Sequence, residues 1–291
     1  MQRIEREVPG GVVQGTCDER FGAVADEFVK NFSERDEVGA SVCVRVDGET
    51  LVDLWGGVKA PDGDPWQEDT LSIVFSCTKG AVALCAHILA SRGELDIYAP
   101  VAEYWPEFAR KGKEDATVKM MLDHSVGLPA CRTPVKAGGA YDFDYMCELL
   151  ADHEPFWKPG IRNGYHMINF GWTVGEIVRR VSGRSLGTFF REEVAEPLGI
   201  EFWIGMPEEH EPRVAPIIPF IPQAGTELGP FQQAMVSDPQ SIQALSLLNT
   251  GGFNPNSRDA HAAEIGGAGG LSNARGLSGM YNPLACGGSL G

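Results

Sequence analysis

No run of about 18 apolar residues occurs in this 291-residue chain, and its first residues, MQRIEREVPGG, carry no apolar stretch after the initial charges. Neither a membrane-spanning helix nor a secretory signal is expected, and the chain reads as cytoplasmic. Positive charge is scarce too: 24 Lys and Arg stand against 40 Asp and Glu, a net charge of −16 with no basic stripe. That balance disfavours nucleic acid and anionic membrane as partners. C-x-x-C and H-x-x-x-H pairs are both missing, and the seven cysteines (Cys17, Cys43, Cys77, Cys85, Cys131, Cys147, Cys286) are odd in number and irregular in spacing. They signal neither a disulfide framework nor a zinc site. No metal or cofactor is expected, and His87, set in an apolar stretch, reads as a core histidine. Internal repeats and low-complexity tracts are absent.

What remains is an ordinary globular composition, 43% hydrophobic and 22% charged, enough to bury a core without staples. Residues 17 to 33 place Phe21, Val24, Phe28 and Val29 at helical spacing. Ser41–Val46 and Thr50–Gly57 flank Asp47-Gly48, a strong hairpin signal, and form the one sheet element the pattern supports well. From Ser76 the run SCTKGAVALCAHILASRG is apolar nearly all round and ends at Arg92-Gly93, as a helix inside the protein would. Further helices are expected at Val118–Asp123, Asp142–Asp152, Trp172–Val181 and Leu186–Glu196. The Pro-rich, apolar stretch 212–230 suits an ordered wall or lid, as a core-lining loop or a substrate contact.

Two serine signatures compete for a chemical role. Gly183-Arg184-Ser185-Leu186-Gly187 fits G-x-S-x-G, but a nucleophile elbow needs a strand before its serine. Here Val174, Ile177, Val178 and Val181 make the preceding segment helical, so Ser185 reads as an N-cap. The other signature is S-x-x-K, Ser76 to Lys79. With 15 serines and 8 lysines, chance alone yields about 0.4 such spacings, so the motif needs its context. It opens the buried helix, where positions i and i+3 share a face and Lys79 can reach the Ser76 hydroxyl. The helix N-terminus adds positive potential and free N–H groups. A lysine at the mouth of an apolar helix should be paired or functional.

These residues carry a resemblance. The chain resembles the β-lactamase-related serine hydrolases: class C β-lactamases, DD-peptidases and especially carboxylesterases of the family VIII type. The similarity runs nearly end to end, through SCTKG at Ser76, MLDHSVGLP at Met121–Pro129, PGIRNGYHMINFGW at Pro159–Trp172 and EVAEPLGIEFWIGMP at Glu193–Pro207. It implies a nucleophilic Ser76, an assisting Lys79 and Tyr165 as general base, with His166 and Met167 beside the substrate. It also implies an α+β (α/β) fold of β-lactamase/transpeptidase type, an antiparallel sheet flanked by helices with a large helical region. One catalytic domain is expected over 1–291: a sheet-associated part to about 92, a helical part to about 250 and a return segment.

Two departures shape the expectation. Met167 stands where the tyrosine motif of β-lactamases has Asn, which tilts the reading toward an esterase. A K-T-G or H-x-G strand is not found; Gly266-Gly267-Ala268-Gly269-Gly270 leads into the helix-like SNARGLSGMYNPLA without strand flanks. The closing strands of the sheet are therefore expected to be missing from residues after Gly251, and with them one oxyanion donor. The expected activity is hydrolysis of small carboxylic esters through an acyl-serine. The alternatives are acyl transfer, β-lactamase or DD-peptidase chemistry, or a binding protein without catalysis.

Overall fold

Asp47 and Gly48 both take positive φ, +50° and +85°, the sign pattern of a type I′ turn, whose twist suits two paired strands. In this computed structural model, which describes residues 1–61, 63–221 and 225–288, that turn sits in an antiparallel sheet of four strands. The strands are β1 (Gln2–Val8), β2 (Gly11–Cys17), β3 (Gly39–Val46) and β4 (Glu49–Gly57), in the order β1-β2-β4-β3. The first hairpin is a correction to the sequence reading. Only Ile4 of β1 is buried, so the strand shows almost no alternation, and its pairing along the whole of β2 is a matter of backbone hydrogen bonds.

One face of the sheet is covered by α1 (Gly22–Glu34), whose Ala25, Phe28 and Phe32 meet Ile4, Val13, Val52 and Leu54. Ala40, Val42 and Val44 of β3 point to the same side, so by the two-residue period Ser41, Cys43 and Arg45 point to the other.

A second sheet is minimal. Its strands are β5 (Ser72–Ile73), β6 (Phe202–Trp203) and β7 (Leu271–Ser272), in the order β5-β7-β6. Between β5 and β6 lie α2 (Thr78–Ser91), α3 (Val118–Leu122), α4 (Phe143–Ala151) and α5 (Asn169–Ser182). Then α6 (Leu186–Phe190) continues through a π-helical turn, Arg191–Ala195, into α7 (Glu196–Leu198). Ala81, Val82, Cys85 and Leu89 of α2 lie in the main core with Trp172, Val174 and Val178 of α5 and Phe189 and Phe190 of α6. His87 is not in that core: it lies on the exposed edge of α2, the one turn where the helix reaches solvent before its end.

After β6 come α8 (Pro230–Ser237), α9 (Ile242–Leu248) and α10 (Arg258–Ala262), and after β7 comes α11 (Ala274–Ala285). Within 212–230, residues 222–224 lie outside the described residues. Phe220 and Ile221 are 85% and 82% exposed, which excludes them from lining the core. The glycines 266–270 do have a strand flank, since Leu271–Ser272 pairs with both β5 and β6. It is the one strand built from residues after Gly251 among those described. From it α11, capped by Asn273, crosses the second face of the main sheet, where Ser278 Oγ reaches Cys43 Sγ at 3.1 Å. Among the described residues no helix is long and apolar enough to cross a membrane.

Candidate active site

The chain leaves β5 and turns sharply at Phe75, whose φ of +42° is a left-handed conformation that a bulky residue seldom adopts. Such strain is held in place only by its surroundings and concentrates at functional sites. The turn continues as one 3-10 turn, Phe75–Cys77, into α2 and sets Ser76 on the surface at the helix mouth. Among the described residues, no partner accepts from the Ser76 N–H. One helical turn on, Lys79 is only 8% exposed. Its Nζ donates to the carbonyls of Met167 at 2.7 Å and Gly267 at 2.6 Å, and lies 3.2 Å from Ser76 Oγ. Two carbonyls thus fix two directions of a tetrahedral nitrogen, and the third points at the serine. Burial holds the Lys79 amine below the ordinary lysine range, opposed by its interaction with Tyr165.

Tyr165 arrives on the loop before α5. Its hydroxyl donates to Ser76 Oγ at 2.7 Å, and its ring centroid lies 4.8 Å from Lys79 Nζ. The structure therefore brings Ser76, Lys79 and Tyr165 together from two places in the chain, the mouth of α2 and the loop before α5. It does not bring His166 to a substrate. That ring is 1% exposed, its Nε2 accepts from the Leu128 N–H at 2.8 Å, and its Nδ1 faces the Gly164 carbonyl at 2.5 Å. Both nitrogens are used in tying the 124–128 segment to the tyrosine loop. Burial above all pushes the imidazole down to about 3, so it is neutral. Met167 enters through its backbone, as the carbonyl that holds Lys79; its side chain packs on the main core.

Two participants escaped the sequence reading. Gly267, in the glycine stretch read above as leading into a helix without strand flanks, supplies the second carbonyl to Lys79. It can do so because a Cβ there would lie 2.2 Å from the Ile168 carbonyl oxygen, so only glycine lets the segment press against the start of α5. The density of glycine was the available signal. His124, inside the motif quoted for the resemblance, packs against Tyr165 with ring centroids 4.9 Å apart and ring planes tilted by 48°. Ser185 lies elsewhere, as the N-cap of α6, with Oγ accepting from the Thr188 N–H at 3.3 Å and donating to Glu264 at 2.7 Å. Among the described residues no group of three or more His, Cys, Asp or Glu could hold a metal ion.

The Beta-lactamase family model matches residues 25–289. The chain belongs to the β-lactamase family. Within it, the chain is similar to the esterase/beta-lactamase LipL of Mycobacterium tuberculosis, 36% identical over 97% of this chain and 66% of that protein. It is 32% identical to esterase EstB of Burkholderia gladioli over 62% of this chain and 50% of the relative. The chain thus spans about half to two thirds of the length of these relatives. Among solved structures, a family VIII carboxylesterase superposes with a TM-score of 0.84 at 39% identity, covering 96% of this chain and 73% of the other. The β-lactamase fold accounts for the arrangement above: a helical region and an antiparallel sheet meet at the mouth of α2.

Proposed function

We propose that this chain is a serine hydrolase that cleaves small carboxylic esters through an acyl-Ser76 intermediate. The observation that carries the reading is the position of Ser76 Oγ, 2.7 Å from the Tyr165 hydroxyl and 3.2 Å from Lys79 Nζ. Both proton-handling groups are within hydrogen-bond reach of the nucleophile, as general base catalysis requires. The esterase names of its relatives, LipL and EstB, and the carboxylesterase superposition point the same way.

In this reading Ser76 Oγ attacks the ester carbonyl carbon while its proton passes to the Tyr165 oxygen. The Lys79 ammonium, with Nζ 4.8 Å from the ring centroid, stabilises the phenolate that accepts this proton. The C–O bond of the tetrahedral intermediate breaks, and the proton moves on to the leaving alkoxide. Water then attacks the acyl carbon, giving its proton to the same relay, and Ser76 is released with the carboxylic acid. The unpaired Ser76 N–H at the helix mouth is the oxyanion donor.

Ser76 is exposed and Tyr165 is 51% exposed, so the site admits small, soluble substrates from an open side. The net charge of −16 fits a cytoplasmic enzyme without nucleic-acid partners. The test is hydrolysis of short-chain p-nitrophenyl esters by the chain and by Ser76→Ala. Activity that vanishes in the variant supports the proposal; equal activity in both overturns it.

A further inference from the structure

We infer that His124 is a positioning residue for Tyr165, the group that clamps the phenol between Lys79 and Ser76. The inference rests on the roles proposed for Ser76, Lys79 and Tyr165. His124 takes a left-handed backbone, φ +63°, rare for residues other than glycine, though tolerated by His and Asn. That turn lets one residue hold the tyrosine loop at two points. Its carbonyl accepts from the Gly164 N–H at 3.0 Å, and its Nδ1 accepts from the His166 N–H at 3.1 Å. These are the residues before and after Tyr165, so the backbone of Tyr165 is pinned on both sides by His124.

The ring does a second job. It packs at 4.9 Å from the Tyr165 ring, and behind it stand Phe170 at 5.1 Å and His166 at 5.4 Å. Tyr165 is half exposed and has Lys79 Nζ at 4.8 Å from its centroid. The imidazole is thus an aromatic wall for a ring with little other cover. Without it the phenol would be free to swing into solvent.

His124 is suited to this role only as the neutral imidazole. An Nδ1 that accepts from a backbone N–H leaves the single proton on Nε2. The charged or titratable groups around the ring are Lys79 from α2, Tyr165 and His166 from the loop, and Asp123 from its own segment. The Asp123 carboxylate is already engaged by Lys119 and Ser125. Protonation of Nδ1 would set two donors against each other and undo the His166 tether. Hence Tyr165 should loosen as the ring gains a proton.

Two variants separate the tether from the wall. His124→Asn suits the left-handed backbone and retains an acceptor but has no ring; His124→Phe retains the ring and loses the acceptor. Each should slow esterase kcat by up to roughly 100-fold, the scale of an ångström-sized misplacement, with KM little changed. In a Tyr165→Phe background neither should cause further loss, because His124 acts through the tyrosine hydroxyl. Losses that add in that background, or no loss in either single variant, overturn the inference. A readout independent of turnover is the ¹⁹F resonance of 3-fluorotyrosine at Tyr165, assigned by Tyr165→Phe. It should shift in both His124 variants, and an unchanged resonance overturns the inference. A chain that hydrolyses no ester sinks the hydrolase reading, while the ¹⁹F shift still decides the positioning role.

Discussion

Lys79 Nζ and the carbonyl oxygen of Gly267 lie 2.6 Å apart across a sequence separation of 188 residues. This bond is how the return segment enters the site: the C-terminal glycines hold the lysine that the N-terminal motif provides. Gly267 faces the Ile168 carbonyl so closely that a methyl group would have to displace backbone. Gly267→Ala is therefore expected to destabilise the fold by about 1–3 kcal/mol and to lower esterase activity together with it. Urea denaturation alongside ester hydrolysis measures both, and a variant as stable and active as the parent would refute the role of this glycine.

Lys79→Met replaces the buried amine with an apolar chain of similar length. In the proposed mechanism the reaction uses the amine charge and its proton, so kcat should fall by about 10²–10⁴-fold. Steady-state kinetics with a short-chain ester gives the answer, and a fall of less than tenfold contradicts the role assigned to Lys79.

Ser185→Ala distinguishes the cap from the nucleophile. The hydroxyl accepts from the Thr188 N–H and bonds Glu264, so its loss should cost about 1 kcal/mol of stability. The rate of Ser76 modification by a fluorophosphonate should not change. A lost or strongly slowed modification would move the chemistry to the G-x-S-x-G serine.

His166 sets a pH dependence. Its imidazole is pushed down to about 3 from an ordinary value of 6.5, mainly by burial. Between those values the unfolded chain binds a proton that the folded chain does not, so stability rises with pH across the window. The contribution is complete above pH 6.5 and is lost as the pH falls toward 3. Stability followed by urea denaturation should decline over this range more steeply in the parent than in His166→Gln. Equal slopes would show that the imidazole is not buried in its neutral form.

Much of this site was legible in the sequence because its logic is local. Ser76 and Lys79 lie one turn apart on a helix that announces itself by composition, and Asp47-Gly48 announces a hairpin through the backbone it needs. Ser185 was readable as a cap from the helical period before it. The first hairpin was not legible: β1 buries one side chain and pairs by its backbone. The same reason hid Gly267 and redirected Met167, for each contributes a carbonyl oxygen, which every residue has. The resemblance implies His166 beside the substrate, yet its ring turns inward to bond Leu128 and Gly164. Adjacency in sequence does not fix which side of a loop a ring takes.

The most direct test of the account is the covalent intermediate itself. The chain is mixed with an activated short-chain ester, quenched in acid within the first turnover, digested, and the acyl group mapped by tandem mass spectrometry. The account predicts one acyl group per chain, on Ser76, which accumulates in the parent and is absent from Ser76→Ala. An acyl group on Ser185 or Cys77, or turnover with no acylated residue at all, would contradict it.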